Sequence, residues 1–339
     1  YYADDWYMIY SGIRFGAARY FAIFASDRPF RGLLQFILYS IFQSNITAYY
    51  ILSVFIHLFS AFTFLWLLLL LWKNRWIEST LAAAIFLVYP GFLEHPNAFD
   101  YQAHLFAMLF MLLSIVFSIK YFQTRGLKRI IYYAGAIILV LFSIMLMEYF
   151  IGMEGYRYLF LLMLLWNQRI DKGWTKVKRL VVLLMPFTLG PIVFLFWRVF
   201  FFSSTRYATS VSRLATNYIE GFPLSIFTTI KRWITDIGDI SFGAFTIPAS
   251  QLIPGLGMRE FITGFALAII AIVALLIYLN KMRNFHRDVE EFKDHDDEHN
   301  FIINVLPLLG LAGAIICLIP INLADREVKY LIFNRFSLP

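Results

Sequence analysis

TAYYILSVFIHLFSAFTFLWLLLLLW, residues 47–72, runs for 26 positions without an Asp, Glu, Lys or Arg and ends directly on Lys73-Asn74-Arg75. A helix crosses the hydrocarbon core of a bilayer with ~20 mostly apolar residues. This segment is long enough to cross, and the cations behind it mark one end of the crossing. Further apolar runs fall near 78–93, 101–119, 130–150, 153–166, 180–202, 261–280 and 301–320, which makes about eight crossings in all. The runs at 78–93 and 153–166 are short, and each is hinged to a neighbour by a tight polar turn.

The 339 residues are 60% hydrophobic, 19% aromatic and only 15% charged. A soluble domain of this length carries roughly a quarter charged residues. The expected fold is therefore all-α, a polytopic helical protein of the membrane. The net charge of +7 is scattered over short loops, which marks orientation and not a nucleic-acid footprint. No nucleic-acid partner is expected. The one cysteine, Cys317, excludes a disulfide framework and a CxxC metal site.

Basic residues follow the first crossing (Lys73, Arg75), the third (Lys120, Arg125, Lys128, Arg129), the fifth (Arg169, Lys172, Lys176, Lys178, Arg179) and the seventh (Lys281, Arg283, Arg287). All share one parity, the positive-inside pattern. The expected organisation is a first outer loop at 1–46, a transmembrane core at 47–202 and a long outer loop at 203–260. C-terminal transmembrane segments follow at 261–339, with a charged inner linker at 281–300. The chain starts and stops within this pattern, so a membrane helix is expected before Tyr1 and further segments after Pro339. The location expected is the cytoplasmic membrane. No internal repeat is visible.

Two outer stretches have amphipathic character and suggest helices lying in the interface. One, at 11–43, mixes Phe15, Phe21, Phe36 and Ile37 with Arg14, Arg19, Arg28 and Arg31; the other is SIFTTIKRWITDIGDISF at 225–242. A loop as long as 203–260 usually has a function.

The acidic residues near membrane depth, Asp4, Asp5, Asp27, Glu94, Asp100, Glu148 and Glu154, all fall on the outer side, and the centres of the crossings read as free of charge. That argues against a transporter, which keeps ionisable groups at mid-depth. Asp4-Asp5 lies within YYADDWYMIY. Adjacent carboxylates repel and aromatic neighbours dry them, so at least one pKa is expected to rise. Such a group suits a general base, and a carboxylate pair equally suits a divalent cation; an exposed interface turn is the plain alternative. The turn within 87–106 gathers Glu94, His95 and Asp100, with Pro96 between them, and places Asp100 and His104 on one helical face.

These elements resemble the GT-C superfamily, multi-spanning glycosyltransferases that take a sugar from a polyprenyl-phosphate carrier. Asp4-Asp5 is similar to that family's first-loop acidic pair, and Pro96 with Asp100 to its second outer element. The resemblance implies sugar transfer with inversion on the non-cytoplasmic face, with Asp5 or Asp4 as the base and Asp100 beside it. Glu94 and His95 would help bind substrate. Arg206, Arg213 and Arg232, with Arg198 nearby, are candidates to meet the leaving phosphate, and each also fits an interface anchor. The partners implied are the polyprenyl-phosphate sugar and bilayer lipids. No cofactor is required beyond an optional divalent cation at Asp4 and Asp5.

A second class stays open: a non-catalytic subunit that joins other membrane subunits in an assembly binding a pigment, a quinone or a lipid. In that reading His57 and His104 are the axial ligands of a tetrapyrrole.

Overall fold

The computed structural model describes residues 3–72, 75–92, 97–166, 174–202, 216, 219–255, 257–290 and 296–323. Every regular element among them is a helix. Helices α1 (Ala3–Phe15), α2 (Arg19–Phe24) and α3 (Pro29–Phe42) form an N-terminal group. Then come α4 (Ile46–Leu71), α5 (Trp76–Val88), α6 (Gln102–Gln123), α7 (Leu127–Leu146) and α8 (Glu154–Trp166). The chain continues through α9 (Trp174–Leu184), α10 (Leu189–Phe200), α11 (Leu224–Gly238), α12 (Ala244–Leu252), α13 (Met258–Glu290) and α14 (Asp296–Leu323).

Five helical stretches are long and apolar enough to cross a membrane: Ile46–Leu71, Gln102–Gln123, Leu127–Leu146, Lys178–Phe200 and Met258–Lys281. Each of the eight apolar runs contains a helix, but Trp76–Val88 and Leu308–Asn322 are shorter apolar helices, and α8 has 13 residues. The run at 180–202 is broken by a turn of tighter helix at Met185–Thr188, where Pro186 removes a backbone donor.

The sequence explains the local starts and stops. Asn45 caps α4, its side chain accepting the Ala48 N–H at 3.3 Å. Pro29 opens α3, where a missing N–H costs nothing. Gly126 turns the chain into α7 with φ of 64°, a backbone region that side-chain-bearing residues avoid.

Helix α6 is the axis of the fold. It packs on α4 and α7 and buries Ala103, Leu105, Met108, Met111, Ile115 and Ile119. Small residues close the α6–α7 seam. Ser143 donates to the Ala107 carbonyl at 2.7 Å, Ser114 donates to the Ala136 carbonyl, and Gly135 lies under the Phe117 ring. Apolar lipid gives helices no hydrophobic reason to associate, so close approach and interhelical hydrogen bonds hold such seams. A second seam joins the turn at Glu148–Met153 to α14, where a Cβ on Gly152 would stand 2.7 Å from the Cys317 carbonyl oxygen.

One expectation is corrected here. Glu154 does not sit at an outer turn: it is buried with Arg157, whose guanidinium donates to Ser114 and Ser118 at 2.7 Å each. Those serines lie 12 and 16 residues into α6, ~18–24 Å from its start. A buried ion pair therefore occupies the middle of the bundle, which had read as free of charge. In α3 the buried face carries Arg31, Gln35, Leu38 and Tyr39, while Ile37 and Ile41 are exposed. Two polar side chains, Arg31 and Gln35, thus face the protein beside Leu38 and Tyr39.

Candidate functional site

The site begins with the pitch of α1. Asp5, Met8, Ile9 and Gly12 recur at three- and four-residue steps and form its buried face. Asp5 is thus the first member of a core stripe, and only 1% of it is exposed. An exposed interface turn is excluded for this residue.

Its carboxylate reaches across 95 residues to the chain entering α6. Oδ1 accepts the backbone N–H of Phe99 at 3.2 Å and of Asp100 at 3.0 Å. Helix entrances leave backbone donors without internal partners and favour negative charge. Asp5 supplies that charge from a distant segment. On the other side of the same dipeptide, Arg31 forms an ion pair with the Asp100 carboxylate and donates to the Asp100 carbonyl at 3.0 Å. Gln35, one turn further along α3, donates to the Phe99 carbonyl at 2.8 Å. The Arg31 guanidinium also lies over the Phe24 ring, 4.6 Å from its centre. Phe99-Asp100 is therefore gripped from both α1 and α3.

The cluster continues downward. Gln102 donates to the Tyr49 carbonyl at 2.8 Å and to Ser53 at 2.7 Å, tying α6 to α4. His104 bonds Tyr149 through Nδ1 and stacks on Tyr101. On the Arg31 side, Glu148 pairs with Arg198 at 3.1 Å and with Arg28 at 3.6 Å.

Burial pushes the Asp5 carboxyl up from an ordinary 3.8 to about 6, and the nearby Asp100 carboxylate adds to the rise; the two amide hydrogen bonds oppose it. The direction agrees with the expectation for the acidic pair, but the second charge is Asp100, brought in by the fold. A carboxyl whose pKa is higher folded than unfolded holds its proton more tightly in the fold. Its contribution to stability is present below pH ~4 and is lost as pH rises through about 6. The loss amounts to roughly 2–3 kcal/mol. Wild-type protein should lose that much more stability between pH ~4 and ~7 than Asp5→Asn, whose amide oxygen can still accept both N–H groups. Thermal unfolding of both proteins in detergent across that range checks this, and parallel pH profiles would refute it.

The structure brings Asp5 and Asp100 together by direct packing. Glu94, His95, Arg206 and Arg213 lie outside the described residues, as does the side chain of Asp4. Arg232 is half-buried on α11, a helix that packs on α14. His57 is covered by the Phe92 ring at 3.8 Å between centres, with Phe86 beside it. Both histidines offered as pigment ligands are thus packed against aromatic rings. Among the described residues, no three His, Cys, Asp or Glu side chains converge where a metal ion could be held.

Arg31 and Gln35 were missed as site residues because an arginine among aromatics reads as an interface anchor. The signal was present: Arg31, Gln35, Leu38, Tyr39 and Phe42 fall on one helical face. Comparison with protein-family models, curated proteins and solved structures finds no match to this chain.

Proposed function

We propose that the protein is a GT-C-type membrane glycosyltransferase, which moves a sugar from a polyprenyl-phosphate carrier to an acceptor at the non-cytoplasmic surface of the cytoplasmic membrane. The observation that carries the reading is the junction of Asp5 with Asp100, 95 residues apart, in one dry cluster. These are the two acidic elements that the resemblance singles out, and a carboxyl with a pKa near 6 is suited to accept a proton at neutral pH. Crossings at eight segments, with basic loops on the cytoplasmic side, would put this cluster on the outer side.

In the proposed step Asp5 takes the proton of an acceptor hydroxyl. The acceptor oxygen forms its bond to the anomeric carbon, the bond from that carbon to the phosphate oxygen breaks, and polyprenyl phosphate leaves with the electron pair. The proton goes to Oδ2, because Oδ1 is engaged by two amides. Arg31 fixes Asp100, and so positions the turn against which Asp5 rests. Arg28 and Arg198, held by Glu148, are the cations offered to the phosphate. Asp5 is covered in the described state, so access for the acceptor requires α1 and the turn at 97–100 to part.

The same hydrogen bonds favour a second reading, in which Asp5 is only a fastening for the entrance of α6. Asp5→Asn separates the two because it keeps the acceptor oxygen and removes the base. Membranes carrying each protein are given undecaprenyl-phospho-mannose, -glucose and -aminoarabinose, and transfer is followed. Loss of transfer by ~10²–10⁴ in a variant that unfolds no earlier than wild type is the expected result. Full transfer by the Asn variant would remove Asp5 as the base and leave the fastening.

A further inference from the structure

A cavity of about 510 Å³ opens between α4, α5, α6, α8 and α14, away from the acidic cluster. Leu68, Phe86, Leu112 and Phe160 are typical of its apolar walls. Folded interiors keep few voids larger than a water molecule, and an apolar void gives water no partners. Along α5 the lining runs from Glu78 to Tyr89, ~17 Å of helix. That is about half of a ~30 Å hydrocarbon core, the depth of one leaflet.

The two ends differ. Tyr89 already donates its hydroxyl to the Ile240 carbonyl at 2.8 Å. The other end is polar, and Trp72, Arg75, Glu78 and Ser79 line it. Arg75 and Glu78 are paired at 2.7 Å with both side chains partly exposed, so they present a cation and an anion side by side. The Trp72 indole, 8% exposed, has a buried N–H that finds no acceptor among the described residues.

The geometry points to a bound zwitterionic phospholipid, with one acyl chain in the cavity and an ammonium-bearing head at Trp72, Arg75 and Glu78. Arg75 meets the phosphate, Glu78 meets the ammonium, and a phosphate or ester oxygen accepts the indole N–H. An anionic head without an ammonium, including a polyprenyl phosphate, would set its charge against Glu78. The site is independent of the transfer reading. It lies where α4 ends, whereas the acidic cluster meets α4 near Tyr49, at its beginning.

The test uses the full chain, stripped of lipid in detergent and offered palmitoyl-oleoyl phosphatidylethanolamine or the matching phosphatidylglycerol, with retained lipid read by native mass spectrometry. The expected result is a single retained phosphatidylethanolamine, with phosphatidylglycerol held about tenfold more weakly. Glu78→Gln should erase that preference, and Ala82→Trp, which fills the lined space, should abolish retention. Because Ala82→Trp could disturb folding, a photoactivatable acyl chain on phosphatidylethanolamine is also crosslinked to wild-type protein. Label on the peptides of α6 or α8 supports the site. Label confined to α13, no retained lipid, or displacement by undecaprenyl phosphate at equal concentration would overturn it.

Discussion

Arg157→Met is expected to destabilise the fold by about 3–5 kcal/mol, the usual consequence of stranding one partner of a buried ion pair. Total stabilities run to only about 5–15 kcal/mol, so a large part of the variant should be unfolded under mild conditions. The effect is large because Arg157 is fully buried and serves several groups at once. It pairs with Glu154 at 2.9 Å, donates to Ser118 and Ser114 at 2.7 Å, and lies 5.9 Å from the centre of the Phe187 ring. Without it, the Glu154 carboxylate has no cation in a dry bundle, and α8 loses its tie to α6. The pair itself is not a large net source of stability, since desolvation offsets most of the attraction. Hence the double variant Glu154→Gln with Arg157→Met should regain most of the loss. Unfolding of the three proteins in detergent decides the matter: a single variant within ~1 kcal/mol of wild type would show that the pair is not holding the bundle.

Arg31→Met is the second large effect, again about 3–5 kcal/mol at neutral pH. The substitution removes the cation paired with the Asp100 carboxylate and one donor to the Asp100 carbonyl, beside the Asp5 carboxyl. Two carboxylates then share one dry cluster, and proton uptake is the way to relieve them. The loss should therefore be greatest above pH ~6 and shrink toward pH ~4, where Asp5 is protonated. Arg31→Lys keeps the charge but not the planar fork, and should recover only part of the stability. A pH-independent loss would mean that the packing of Arg31 on Phe24 matters more than its charge.

The helices were legible in the sequence because their cause is local. Runs such as 47–72 have the length and apolarity of a crossing, and α4, α6, α7 and the Lys178–Phe200 stretch follow them closely. Depth was less legible. Glu154 and Arg157 carry the residue types of a surface turn, and only the descent of the chain through Glu148–Met153 carries them to Ser114 and Ser118. The acidic cluster was half visible. Asp5 and Asp100 were named from their settings, and the periodicity of α1 contains the reason that Asp5 turns inward. Arg31 stayed hidden because its partner, the Asp100 carboxylate, lies 69 residues away in the sequence and only the fold brings the two together.

Helix α13 has no buried residue in the apolar stretch Met258–Lys281. Only Leu275 and Leu279 are half-buried there, so side-chain packing among the described residues does little to fix its rotation about its own axis. Its 24 residues measure ~36 Å against a core of ~30 Å. In a bilayer the mismatch would be absorbed by leaning, at a cost of fractions of a kcal/mol per ångström. Membrane thickness would thus set the lean of this helix, while the packed bundle around α6 keeps its geometry.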